Sequence, residues 1–116
     1  MTLLEYLNKQ PEGEEVTVCD DVYDMETYFY ANHGDNLDEW DSLMNRLANV
    51  VEVLDIGPSV VVNLWDVIDR HRYALLHEQA YYADASTEDI MDDLDMVLAG
   101  NVSERWFEKF VKILEQ

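Results

Sequence analysis

A single cysteine, Cys19, excludes an internal disulfide framework. That usage fits a reduced compartment, so the expected setting is the cytoplasm. Long apolar runs are missing too. None approaches the roughly 20 residues that a membrane helix needs, and no membrane partner is expected. Residues 1–9 lack a charged segment followed by an apolar run, so no signal peptide is expected. The three histidines are His33, His71 and His77. His71 and His77 lie six positions apart and do not share a helix face as the histidines of an HExxH zinc motif do. The sequence contains no phosphate loop and no spacing that pairs a nucleophile with a base. No enzyme activity, catalytic residue, metal or cofactor is therefore expected.

The sharpest shortage is of cations. Seven Lys and Arg stand against 26 Asp and Glu, for a formal net charge of −19. Residues 10–45 contain no Lys or Arg, and neither do residues 73–104. An acidic chain is repelled by phosphate, so direct binding of nucleic acid is excluded as an expectation. Self-repulsion at this level costs stability, and a cationic partner is one reason to retain it. A high-salt cell or plain solubility are the others.

What is present is acid mixed with apolar anchors. Residues 10–45 hold eleven carboxylates among Val16, Val18, Val22, Tyr23, Tyr28, Phe29, Tyr30 and Trp40. A disordered acidic tail lacks such residues, so the segment is expected to fold. The length of 116 residues suits one domain with one core, spanning 1–116.

Local patterns give the elements. Thr2 and Glu5 have capping-box spacing at the start of a short helix over 2–9, which Pro11 and Gly13 end. The β-branched run Val16, Thr17, Val18 predicts a strand over 15–19, and the aromatic run over 25–30 predicts its hairpin partner. Leu37, Trp40, Met44, Leu47 and Val51 recur at helical spacing, predicting a helix over 37–51 capped by Asp35 or Asn36. Gly57-Pro58 separates two further strands, 52–56 and 59–63. A helix follows over 64–80. Ser86 and Ser103 cap the last two, and Gly100-Asn101 divides them. The expected class is α+β: a small antiparallel sheet of two hairpins, packed against about five helices in a single layer on one face.

The carboxylates have regular spacing. Alternate strand residues lie roughly 6.6 Å apart, and helix residues three or four apart have Cβ atoms roughly 5–6 Å apart. Both distances resemble those between neighbouring phosphates. Asp24 and Glu26 have the strand spacing, as do Glu12 and Glu14 if that segment is extended. Asp38 and Asp41 have the helix spacing, as do the pairs Glu88/Asp92 and Asp89/Asp93. Residues 84–95 also place oxygen ligands at several positions of a calcium-binding EF-hand loop. Asp89 stands where that loop requires glycine, and the segment patterns as helix.

Two stretches, MTLLEYLNKQPEGEEVTVCDDVYDMETYFY and IMDDLDMVLAGNVSERWFEKFVKIL, resemble small acidic proteins carried by phages and mobile elements of Firmicutes. The resemblance implies a bacterial host cell and a role against host defence, with anti-CRISPR and anti-restriction DNA mimics as the functional analogy. The expected function is thus non-enzymatic inhibition, with acid standing in for phosphate in the basic groove of a nucleic-acid-binding protein. A CRISPR effector such as a single-protein RNA-guided nuclease is the implied partner. An immunity protein or antitoxin against a basic nuclease toxin would need the same surface, and an accessory phage protein could carry it incidentally. The resemblance assigns no residue. On charge alone, the expected contact residues are Asp20, Asp21, Asp24, Glu26, Asp35, Asp38, Glu39 and Asp41, with Glu88, Asp89, Asp92, Asp93 and Asp95.

Overall fold

A computed structural model describes residues 1–31, 37–78, 84–100 and 104–116. The first helix, α1 (Leu3–Asn8), carries the expected capping box, in which the Thr2 hydroxyl accepts from the Glu5 amide and the Glu5 carboxylate accepts from the Thr2 amide. Strands β1 (Glu15–Asp20) and β2 (Glu26–Tyr30) form the first hairpin, and β3 (Val53–Ile56) and β4 (Val60–Val62) the second. Between them runs α2 (Glu39–Val50). Its cap is Asp38, whose carboxylate accepts from the Asp41 amide at 2.7 Å. The expected alternatives Asp35 and Asn36 lie outside the described residues.

The sheet is mixed rather than antiparallel throughout. Its order is β2-β1-β4-β3, and the two hairpins join through a parallel β1–β4 pair with Val18 opposite Val60 and Asp20 opposite Val62. The connection explains this correction. A helix of twelve residues such as α2 is about 18 Å long, enough to carry the chain back over the layer. It delivers β3 in the direction of β2, as a crossover does, so the inner strands β1 and β4 must also run the same way.

The helix expected over 64–80 is broken into α3 (Leu64–Arg70) and α4 (Arg72–Glu78). The break coincides with His71. Its Nδ1 lies 2.8 Å from the Val67 carbonyl oxygen, while the His71 backbone amide is stretched to 3.3 Å from that oxygen and turns to Ile68 at 3.1 Å. A side chain inserted into the i→i−4 ladder kinks a helix in this way. Helix α5 (Thr87–Leu98) starts at the expected Ser86 cap, with Asp89 completing a capping box, and Gly100 follows it at φ 83°. The positive φ is a conformation glycine adopts without strain. The chain ends in α6 (Glu104–Leu114); its expected cap, Ser103, lies outside the described residues.

Burial divides the sheet into two faces. Val16, Val18, Thr27, Phe29, Val60 and Val62 are buried on one side, with Leu3, Leu7, Leu47, Ile68, Met91, Leu94, Phe107 and Val111 from the helices. Burying a large apolar side chain contributes about 1.5–3 kcal/mol, and this core offsets the repulsion of the surface charge. The opposite face carries Glu15, Thr17 and Cys19 of β1, Glu26, Tyr28 and Tyr30 of β2, and Val61 of β4, none of them buried. The helices therefore contribute their buried side chains to a core on one face of the sheet.

Candidate acidic interface

Strand alternation sets the first part of the surface. In β2 the sequence Glu-Thr-Tyr-Phe-Tyr points Thr27 and Phe29 into the core and leaves Glu26, Tyr28 and Tyr30 outside. Tyr28 and Tyr30 are more than half exposed. The Tyr30 hydroxyl donates to the Glu15 carboxylate across the strand pair at 3.1 Å, which raises the Tyr30 phenol above its ordinary pKa. Beside them, Cys19 sits between carboxylates. Partial burial raises its thiol first, and the charges of Glu26, Asp20 and Asp24 raise it further.

Helical periodicity sets the second part. On α5, Ile90, Met91, Leu94 and Val97 face the core. Glu88, Asp92 and Asp95 form one exposed row on the other side, at i, i+4 and i+7. Asp89 is exposed but engaged in the capping box. Asp93 is half-buried, and that burial pushes its carboxyl above the usual range.

The two parts meet at one groove of about 480 Å³. It runs beside β2, and α2 contributes Trp40, Asp41, Met44 and Asn45 to its wall. The C-terminal end of α5 contributes Asp95 and Leu98. Glu26, Asp41 and Asp95 thus come from three separate elements to one opening, beside Tyr28 and Tyr30. Trp40 forms part of this wall and also packs against Phe107, with ring centroids 5.2 Å apart.

Other expected contact residues are placed differently. Asp20 leaves the display altogether: it is 7% exposed, and its carboxylate accepts from the amides of Val22, Tyr23 and Trp65 at 2.6–2.8 Å. Asp21 and Asp24 are exposed in the β1–β2 turn, and Glu39 is exposed in the first turn of α2, beside the capping Asp38. Asp35 lies outside the described residues. Tyr23 is half-buried and stacks on Trp65, with ring centroids 6.1 Å apart. Charge ranking missed Glu15 as a surface neighbour; the period-two alternation of β1 is the signal that would have found it.

Four of the seven cations have partners elsewhere. Arg46 pairs with Glu115, Arg70 with Asp66, and Lys109 with Glu78, while Arg72 donates to the Ala85 carbonyl. Glu26, Asp41 and Asp95 enter no ion pair among the described residues. Among those residues there is also no group of three or more His, Cys, Asp or Glu placed to hold a metal ion, and α5 runs unbroken through most of the EF-hand-like segment. No helix among them is long and apolar enough to cross a membrane. Comparison of the chain with protein-family models, curated proteins and solved structures gives no match.

Proposed function

We propose that this chain is a non-enzymatic inhibitor that occupies the basic, nucleic-acid-binding surface of another protein. One observation carries the reading: Glu26, Asp41 and Asp95 converge from three elements on an aromatic-lined groove, and no cation pairs with them among the described residues. Left unpaired beside tyrosines, these carboxylates match a surface rich in Lys and Arg. The row Glu88, Asp92, Asp95 extends the display along α5. The resemblance to phage and mobile-element proteins supplies the setting, inhibition of a host-defence nuclease of the CRISPR-effector type.

The test is affinity capture from a nuclease-treated Firmicutes lysate expressing such an effector, with elution by a salt gradient. The expected result is one nucleic-acid-binding protein, released at a defined salt step and displaced by its own nucleic acid. Glu88→Lys combined with Asp92→Lys should lose it. Capture of a nuclease toxin instead would make the chain an immunity protein, and a broad smear of basic proteins would overturn specific inhibition.

A further inference from the structure

We propose that the outer edge of β2 captures an extended, Lys- and Arg-rich segment of the partner as a fifth strand of the sheet. The inference rests on reading the acidic face as a surface for a cationic protein, and it adds the mode of capture. The hydrogen-bond register carries it. The Ala31 amide donates to the Glu14 carbonyl at 2.9 Å, so the main chain at Ala31 faces β1. In an antiparallel pair this orientation alternates. Phe29 and Thr27 therefore also turn their polar groups to β1, and the N–H and C=O groups of Glu26, Tyr28 and Tyr30 point away from it. With the order β2-β1-β4-β3, they point off the sheet.

The opposite edge is protected. The Met1 carbonyl accepts from the Val53 amide at 2.9 Å, Thr2 bridges to Glu52, and the β3–β4 register is interrupted between Val53 and Asp55. Covered starts and bulges of this kind blunt sheet edges. β2 has neither: its five residues pair with β1 without a break, and among the described residues no backbone group pairs with its outer side.

Charge selects the occupant. A second copy of a chain with net charge −19 is repelled from this edge, and Glu26, Asp41 and Asp95 repel acidic segments as well. A cationic strand is drawn to them. Its side chains would alternate between two environments. One set enters the groove against Trp40, Met44 and Leu98, with Asp41 and Asp95 at hand. The other lies on the open face beside Glu26, Tyr28 and Tyr30, where tyrosine rings also attract cations.

The experiment uses the full chain, labelled for NMR, and a decapeptide of alternating arginine and valine. A second decapeptide has the same sequence with every other backbone nitrogen methylated, which retains charge but removes one row of donors. The first peptide should slow hydrogen exchange of the Tyr28 and Tyr30 amides at least tenfold, and the methylated one should bind at least tenfold more weakly. Tyr28→Pro removes an outward amide and no β1–β2 hydrogen bond, so it should weaken peptide binding tenfold with little change in the unfolding midpoint. Equal binding of the two peptides, or unprotected Tyr28 and Tyr30 amides, overturns strand addition while leaving charge-driven binding in place. Absence of binding by either peptide overturns it as well. If Tyr28→Pro fails to fold, the peptide pair still decides on the unaltered chain. Strand addition without capture of any nucleic-acid-binding protein from the lysate would support this inference and overturn the proposed partner class instead.

Discussion

Three backbone amides, those of Val22, Tyr23 and Trp65, depend on the Asp20 carboxylate. Trp65 lies in the first turn of α3, so Asp20 closes the β1–β2 turn and also caps a helix 45 positions away. Hydrogen bonds to a charged acceptor are individually worth about 1.5–3 kcal/mol, and their loss is not additive. Asp20→Ala should therefore lower stability by about 3 kcal/mol in urea unfolding, whereas Asp21→Ala, at an exposed neighbour, should change it little. Cys19, on the other face of the same strand, gives a chemical readout. Thiolate is the reactive form, and burial followed by the charges of Glu26, Asp20 and Asp24 holds the thiol protonated. Alkylation at mildly alkaline pH should be slower than for an unstructured cysteine peptide, and Glu26→Gln should speed it. The linkage has a definite sign. The unfolded chain loses its thiol proton at lower pH than the folded one, so this group's contribution to stability is lost as pH rises from the unfolded thiol pKa through the folded one.

Helix α5 sets its capping geometry against its own charge. The capping box of Ser86 and Asp89 satisfies the first turn, and the helix dipole favours Glu88 and Asp89 there. Further along, Glu88 and Asp92 are like charges on one row. Replacing Asp92 by lysine turns that repulsion into an attraction, for an expected gain of about 0.5–1 kcal/mol. The same Asp92→Lys variant should bind the partner more weakly. Thermal unfolding and capture must be measured on one preparation, because gain of stability with loss of binding marks acid kept for contact. Gain of stability with unchanged binding would mark the row as incidental. Capping boxes of this kind were legible in the sequence because their partners lie three residues apart. The break at His71 was not, because periodicity sees apolar residues and is blind to a ring nitrogen taking a carbonyl. The parallel β1–β4 pair was hidden for a different reason: each hairpin is local, while their relative direction depends on how α2 returns the chain. Asp20 and Asp21 read alike in the sequence, and only the tertiary fold decides which one points inward.

At the scale of the whole molecule, folding and binding should respond to salt with opposite signs. The carboxylates greatly outnumber the cations, so folding gathers repelling charges into one small volume. Added salt shortens the screening length from about 10 Å at 0.1 M to about 3 Å at 1 M. Repulsion across the α5 row and around the groove is then reduced, and the melting temperature should rise by several degrees. Attraction to a cationic partner is screened by the same ions, so affinity should fall at least tenfold over that range. Screening alone predicts equal effects of sodium and potassium chloride at matched ionic strength. Charge reversal at Glu88 and Asp92 should flatten both responses, since it removes part of the field that salt acts on. A melting temperature that rises while affinity stays constant would separate the two. The acid would then shape only the stability of this fold, and the partner would be held by the apolar wall of the groove, Trp40, Met44 and Leu98.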